Sequence, residues 1–313
     1  NWNRNLGTEI NRFKFLHLII AQKLSMSLKL LFAFLTFDVI VLTVSEIDLF
    51  PSRTYCGFQH SDDYVRDNPG ISLDEFPWIT QLLYDEDKSV KCVGSLINRR
   101  YVLTAAQCMN PRDGEITGIR LGDYDITSDK DCVNETRFGE ECSDPAEEFG
   151  IEELIPHPGY RARTAVNDIG LIRLSKNVDY SEYIRPICLP AATSLYLKDG
   201  VALAVSGWGF TQFGGESAKI KKKVSAQLLP LDTCRGVYNN TRQLITTNHL
   251  CVSEDKTTFT CQGDSGGPLM LSVKNQWSGV GIVSFGKFCG TDDPGVYTKV
   301  SSYLDWIKQN VRK

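Results

Sequence analysis

The sequence is poor in histidine and has no surplus of positive charge. It holds four histidines in 313 residues, at positions 17, 60, 157 and 249, so few side chains can exchange a proton near neutral pH. Asp and Glu outnumber Lys and Arg by 38 to 34, which gives a net charge of −4. This balance provides no basic surface for nucleic acid or for an anionic membrane, and we expect neither as a partner.

Long hydrophobic runs are also scarce. The apolar stretch from Leu30 to Val44 follows Lys29 and is interrupted by Asp38. It is short for a membrane span but has the charged start and apolar core of a secretory signal. We expect a signal peptide at 26–45, starting at Met26, with a signal anchor as the alternative, and no membrane span in the mature chain. Residues 1–25 are expected to be upstream sequence that is untranslated or misassigned.

Cysteine, in contrast, is plentiful, and ten cysteines after such a signal indicate a disulfide framework formed in an oxidising compartment. Their spacing alone does not give the connectivity. From Pro77 onward, short apolar runs alternate with clusters of Gly, Pro, Asn and Asp, a pattern that favours an all-β sandwich or barrel. Apolar residues at positions 304, 307 and 311 have helical spacing and predict a short C-terminal helix.

Four short blocks carry chemically informative residues. In chain order they are Thr104–Cys108, Asn167–Ile172, Val205–Gly209 and Cys261–Pro268. Together they resemble the chymotrypsin-like serine proteases of the trypsin family, and in particular the clip-domain proteases of arthropods. The resemblance covers the chain from about residue 65 to the C-terminus. It implies an all-β fold of two antiparallel six-stranded barrels, with the active site in the cleft between them.

The resemblance also assigns roles to individual residues. Ser265 takes the position of the nucleophile, the amides of Gly263 and Ser265 that of the oxyanion hole, and Asp168 that of the carboxylate that orients the base. Gln107 stands where these proteases carry their histidine base. Since an amide cannot take up the serine proton near neutral pH, we expect the site to be inactive.

The substrate pocket departs from the family pattern as well. Phe259 lies at the position of the pocket floor, while Gly286 and Gly295 keep the walls small as in relatives. We expect the phenyl ring to fill much of the pocket, and the alternative is a shallower pocket for small side chains.

A third departure concerns activation. Relatives are cut after Arg or Lys, and the new amino terminus pairs with the aspartate before the nucleophile, here Asp264. The matching position is Val65, but Tyr64 precedes it, and Arg66 offers a cut at the wrong place. We therefore expect Asp264 to lack its partner and the oxyanion hole to stay unformed. Base, pocket and activation would then be three separate defects.

The resemblance implies five disulfides: Cys56–Cys188, Cys92–Cys108, Cys132–Cys142, Cys234–Cys251 and Cys261–Cys289. Asn134 and Asn239 begin glycosylation sequons, with unmodified loop asparagines as the alternative. The loop from Asp123 to Glu148 resembles a calcium-binding region of some relatives, although acidic loops are more often merely solvated, and no other metal or cofactor is expected. The cluster of Lys219 and Lys221–Lys223 is interpreted as a solvated strand edge, with a docking patch for an acidic partner as the alternative.

These features predict an N-terminal activation-type segment at 46–64 and a trypsin-like domain at 65–313. The predicted function is that of a secreted, extracellular serine protease homologue, inactive as an enzyme, that serves as a binding cofactor or decoy in a protease cascade of the immune or clotting type. Its partners would be proteins of that cascade. A weakly active serine endopeptidase and a structural or adhesive extracellular protein are the alternatives.

Overall fold

A computed structural model describes residues 49–59, 71–135, 139–190, 197–211, 214–255 and 258–313. The chain divides into two compact units, residues 1–50 and 51–313, and all of the helices and strands described below belong to the second. The predicted upstream segment at 1–25 and the predicted signal at 26–45 lie outside the described residues. None of the helices in the described part of the chain combines the length and the hydrophobicity needed to cross a membrane.

The first half of the described region is built from short strands. They are β1 Ile79–Tyr84, β2 Ser89–Leu96, β3 Tyr101–Thr104, β4 Ile116–Leu121, β5 Cys132–Glu135, β6 Gly139–Cys142, β7 Glu147–Phe149, β8 Ile151–Pro156 and β9 Gly170–Leu174. Seven of them form one antiparallel sheet in the order β7-β4-β1-β2-β3-β9-β8. The remaining pair, β5 and β6, is a separate hairpin that the Cys132–Cys142 disulfide crosses.

The second half forms a closed barrel. Its strands are β10 Ala202–Gly207, β11 Lys222–Leu229, β12 His249–Glu254, β13 Pro268–Val273, β14 Gln276–Phe285 and β15 Gly295–Lys299, and its helices are α1 Leu231–Tyr238 and α2 Leu304–Asn310. The barrel order is β10-β11-β12-β15-β14-β13, with every neighbouring pair antiparallel.

The all-β fold class and the short C-terminal helix are therefore confirmed, and one detail differs. The second barrel has the six strands that we predicted. The first is a seven-stranded sheet with β7 and β8 at its edges. The extra strand, Glu147–Phe149, is short and adds to β4, where Phe149 is buried. Two exposed glutamates and one apolar residue give too weak an alternation to predict a strand.

The barrel core follows from the two-residue period of its strands. In β11 the buried residues are Val224, Ala226 and Leu228, while Ser225 and Gln227 between them are exposed. Alternate side chains of a strand point to opposite faces, so the even positions of β11 point into the barrel. They pack there with apolar residues of β10, β12, β13, β14 and β15.

The two halves pack directly on one another. Trp78 is fully buried, and its indole nitrogen contacts the Met270 sulfur of the second barrel at 3.1 Å. Phe76 packs edge-to-face on Trp277, with ring centroids 5.1 Å apart. This junction fixes the position of the first sheet relative to the barrel, and the functional blocks of the sequence meet along it.

Five disulfides cross-link the described residues, in the pairs that the family resemblance implies. They are Cys56–Cys188, Cys92–Cys108, Cys132–Cys142, Cys234–Cys251 and Cys261–Cys289. The first joins residues 132 positions apart and ties the N-terminal segment to the body. Two others, Cys92–Cys108 and Cys261–Cys289, brace the loops that carry Gln107 and Ser265.

Candidate active site

The loop that carries Ser265 is a tight turn between β12 and β13. Gly263 has a φ of +98°, and a Cβ at this position would lie 2.9 Å from the Gly209 Cα, so only glycine fits without strain. The carbonyl of Ser265 accepts a hydrogen bond from the Val93 amide of β2 at 2.9 Å. The loop is thus anchored on the first sheet as well as on its own barrel.

Asp168 lies at the entrance to β9 and is 1% exposed. Its Oδ2 accepts a hydrogen bond from the Ser284 hydroxyl at 2.6 Å, and its Oδ1 accepts one from the Gln107 amide at 2.8 Å. Burial raises the pKa of Asp168 to about 6, although the bonds from Ser284 and from the Ala106 and Gln107 amides oppose the shift. The carboxylate is held in position by these donors, and among the described residues no cationic side chain pairs with it.

Gln107 lies in the 3₁₀ turn Ala106–Met109 that follows β3. Its Nε2 donates to Asp168 Oδ2 at 3.0 Å and to the Ser284 carbonyl at 2.5 Å. Both amide hydrogens are therefore directed at Asp168 and Ser284. In the described part of the chain, no hydrogen bond joins Gln107 to Ser265. The side chain reproduces the donor role of a base bound to Asp168 but has no site that takes up a proton near neutral pH.

The two histidines within the described residues are committed to other contacts. His157 packs against the rings of Tyr303 and Trp306, and its Nδ1 accepts from the Gly159 amide at 3.0 Å. His249 is 3% exposed, and its Nδ1 accepts from the Thr246 amide at 3.0 Å. Burial lowers the pKa of both imidazoles. His17 and His60 lie outside the described residues. Neither described histidine makes a hydrogen bond to Asp168 or to Ser265.

Phe259 does not close the pocket, and how much of it the ring fills stays a prediction. A cavity of about 210 Å³ remains, and both Phe259 and Ser265 line it. The ring lies against Gly290, where a Cβ would come within 2.7 Å of a ring carbon. Because Gly290 has no side chain, the ring lies to one side, and the pocket next to Gly286 and Gly295 stays open.

The pocket also contains an acidic group that the sequence analysis did not single out. Glu254 accepts hydrogen bonds from the Thr260 amide at 2.7 Å and the Thr260 hydroxyl at 2.6 Å, and it also accepts from the Tyr297 hydroxyl. Its Oε1 would lie 3.2 Å from a Cβ at Gly295. The pocket therefore has a carboxylate on its wall, whereas its expected floor position carries a phenyl ring.

Asp264 has a cationic partner that the sequence analysis did not assign, while the amino terminus expected to be missing there belongs to a segment outside the described residues, so that expectation stays a prediction. Asp264 is fully buried, and its Oδ2 lies 2.7 Å from the Lys222 Nζ. Its oxygens also accept from the Gly209 amide at 2.8 Å and the Cys261 amide at 2.9 Å. The interpretation of the lysine cluster as a solvated edge is wrong for two of its members, because Lys222 pairs with the buried Asp264 and Lys221 is 4% exposed. The other two, Lys219 and Lys223, are exposed.

The acidic loop from Asp123 to Glu148 has a cation of its own. Arg120 lies 3.5 Å from Asp123 and 2.7 Å from Glu148, which Lys88 also contacts at 2.6 Å. In the described part of the chain, three side chains of the kinds that bind metals, Cys132, Glu140 and Cys142, lie close together. The two cysteines are joined in a disulfide. The arrangement does not favour the calcium site that we considered from the sequence.

Both sequon asparagines, Asn134 and Asn239, lie on the surface and are exposed. The activation segment around Val65, with Tyr64 and Arg66, lies outside the described residues, so the cut expected there stays a prediction.

Sequence reasoning missed two groups that hold the site, Ser284 and Lys222. Ser284 orients Asp168 and accepts from Gln107, yet it belongs to none of the four blocks. Lys222 could have been found from strand periodicity, because it shares the inward face of β11 with Val224 and Ala226.

Comparisons with known proteins found similar sequences and a similar fold. A family model described as Trypsin matches residues 70–307. The chain is 40% identical to the CLIP domain-containing serine protease B9 of Anopheles gambiae, over 84% of this chain and 67% of that protein. It is also 40% identical to the Phenoloxidase-activating factor 3 of Holotrichia diomphalia, over 84% of this chain and 76% of that protein.

A solved structure resembles the fold as well. It is the crystal structure of the Drosophila Grass clip serine protease of the Toll pathway, with a TM-score of 0.69 and 31% sequence identity. The match covers 86% of this chain and 76% of that one.

Proposed function

Because the chain belongs to the trypsin family, we propose that it is a homologue of these proteases that has lost catalysis and acts by binding other proteins. The proposed setting is extracellular, and the proposed role is that of a cofactor or decoy in a protease cascade of the immune or clotting type.

The observation that carries the proposal is the bonding of Gln107. Its amide is fixed between Asp168 and the Ser284 carbonyl. Within the described residues, Ser265 has no hydrogen bond to a side chain that can take its proton. Removing the base from such a triad costs on the order of 10⁶ in turnover and leaves roughly 10³–10⁴ over the reaction in water. A site with that residual rate acts far too slowly to serve as an ordinary protease.

The setting is supported by the relatives and by the cysteines. One relative, 39% identical over 84% of this chain, is the Melanization protease 1 of Drosophila melanogaster, and another is a phenoloxidase-activating factor. Five disulfides are typical of proteins that leave the cytosol. Together with the signal-like stretch at 26–45, these features support secretion and partners among the proteins of such a cascade.

A weakly active serine endopeptidase is the second candidate. The open pocket beside Ser265 and the partnered Asp264 favour it, because both keep the substrate-binding side of the site in order. It needs a route for the serine proton that Gln107 does not offer.

Turnover assays distinguish the two candidates. The purified secreted protein, before and after mild proteolysis, is given peptide reporters with Arg, Phe or Ala before the scissile bond, and Ser265→Ala is the matched control. We expect wild type and Ser265→Ala to be indistinguishable. Turnover within about a hundredfold of an active relative, abolished by Ser265→Ala, would establish the endopeptidase instead.

The binding role needs its own test. The Ser265→Ala protein is added to an active trypsin-family cascade protease and its zymogen substrate, and the rate of zymogen cleavage is followed. A cofactor raises this rate and a decoy lowers it, in both cases with saturation. A rate independent of the added protein argues against the cascade role.

A further inference from the structure

Lys222 is bonded as completely as a buried ammonium group can be. Its Nζ lies 2.7 Å from Asp264 Oδ2, and it donates to the Phe259 carbonyl at 2.9 Å and to the Phe210 carbonyl at 3.3 Å. An ammonium has three hydrogens, so all three have an acceptor. The side chain is 15% exposed, against 1% for the side chain of Asp264.

Asp264, in turn, receives donors from two separate segments. Gly209 donates from the loop after β10 and Cys261 donates from the serine loop itself. The carboxylate rests against Gly207 and Gly209, and a Cβ at either glycine would collide with its oxygens. Lys222, on β11, closes this arrangement from a third direction.

From this geometry we infer that Lys222 is a positioning residue for the serine loop. Its ammonium supplies the positive charge that Asp264 needs, so the loop from Cys261 to Ser265 takes its bonded conformation in the uncut chain. A new amino terminus is not required. The inference goes beyond the proposed function, since it holds whether or not the cleft binds a partner.

The charge balance supports the assignment. A buried carboxylate without a cation is strongly destabilising, and breaking a buried ion pair by removing one partner costs several times more than breaking an exposed one. Asp264 is 0% exposed. Among the described residues, Lys222 is the cation that lies within ion-pair distance of its carboxylate. The adjacent Lys223 points outward instead and pairs with Glu75 at 2.5 Å.

Hydrogen exchange in the full, uncut chain tests the inference. The reporters are the amides of Gly209 and Cys261, which donate to Asp264, and the amide of Gly266 directly after Ser265, which donates to the Val283 carbonyl of β14. In Lys222→Met we expect these amides to exchange at least about a hundredfold faster, while strand β1, Ile79–Tyr84, exchanges as in wild type. Lys223→Met, which removes the adjacent exposed ammonium, should leave all of them unchanged.

Two further variants separate positioning from bulk packing. Lys222→Arg keeps the charge, so its amide exchange rates should stay within about tenfold of those of wild type. Combining Lys222→Met with Asp264→Asn removes both charges, and its effect should fall short of the product of the two single effects, because the two groups act as a pair. The double variant also keeps the test open if Lys222→Met alone fails to fold.

Unchanged exchange of the Gly209, Cys261 and Gly266 amides in Lys222→Met would overturn the inference. So would an equal acceleration in Lys223→Met, or independent effects of Lys222→Met and Asp264→Asn.

Discussion

Two buried carboxylates of this chain have different partners. Asp168 is bonded to Gln107, which we propose stands in place of a histidine, and Asp264 is paired with Lys222, which we infer takes the role of a new amino terminus. The amide of Gln107 donates hydrogen bonds but does not take up a proton near neutral pH. The ammonium of Lys222 donates hydrogen bonds and also carries a charge. We therefore expect both sites to keep their geometry, and the chemistry to survive only where the charge is also kept.

The difference is visible in the electrostatics of the two sites. Asp168 is buried with neutral donors, and burial raises its pKa to about 6. Asp264 is equally buried but lies in an ion pair with Lys222. Burial among neutral donors disfavours the charged form of a carboxylate, whereas a paired cation stabilises it. The two sites should therefore respond differently to substitution and to pH.

The largest expected effect follows from repairing the first site alone. Gln107→His returns a base to Asp168 and Ser265, while the pocket is open and Lys222 already holds Asp264. From the sequence we expected one repair to recover little, since the pocket and the activation site were also to be defective. Because a cavity remains beside Ser265 and, by our inference, Lys222 replaces the new terminus, we now expect kcat/KM in the uncut chain to rise at least about 10³-fold.

The measurement is hydrolysis of peptide esters and amides by the uncut variant. The double variant Gln107→His with Ser265→Ala is the control and should show no gain. A gain that appears only after cleavage would mean that Lys222 does not replace the new terminus.

The pH dependence of stability should show the charge on Asp168. The folded-state pKa, about 6, lies above the ordinary 3.8, so the native state binds the proton more tightly. The contribution of this group is therefore full below about pH 4 and is lost as the pH rises through about 6. Two pKa units correspond to about 3 kcal/mol. Denaturant unfolding from pH 4 to 7 should show this loss in wild type and not in Asp168→Asn. Parallel curves for the two proteins would contradict the assignment.

Removing the Ser284 hydroxyl should cost less. Ser284→Ala leaves Asp168 Oδ2 without its donor at 2.6 Å, a loss of about 1–3 kcal/mol in the free energy of unfolding. Ser278→Ala, at a 2% exposed position on the same strand, is the matched control and should cost under about 1 kcal/mol. Urea denaturation at pH 7 compares them. Equal losses would show that the hydroxyl does not support Asp168.

The smallest expected effect concerns calcium. Arg120 lies between Asp123 and Glu148, so the loop already holds a positive charge. We expect the Tm to be the same in calcium and in chelator. A saturable rise of the Tm with calcium, absent in a Glu148→Gln variant, would show that the ion displaces the arginine.

Much of the fold could be predicted because its signals are local. The four blocks identified the family, the turn residues gave strands, and the spacing of residues 304, 307 and 311 gave the C-terminal helix. The contact of Gln107 with Asp168 also followed from the blocks. The extra strand β7 did not, because Glu147–Phe149 offers one buried side chain and no alternation to detect.

The sequence did not predict those parts of the site that depend on contacts between distant segments of the chain. Phe259 was assigned to the pocket floor from its place in the sequence, but the room beside Gly290 decides where the ring lies. Lys222 was interpreted by its charge and not by its face of β11. Its partner, Asp264, lies 42 positions further along the chain, and only the closed barrel brings the two together.

The most direct test of the account is the rate at which a fluorophosphonate labels Ser265 in the uncut protein. Labelling needs the nucleophile, its base and the oxyanion site, and depends little on the pocket. We predict very slow labelling of wild type and labelling at least about 10³-fold faster in Gln107→His, with no cleavage of either chain. Equal rates in the two uncut proteins would contradict the claim that the missing base is the defect that silences this site.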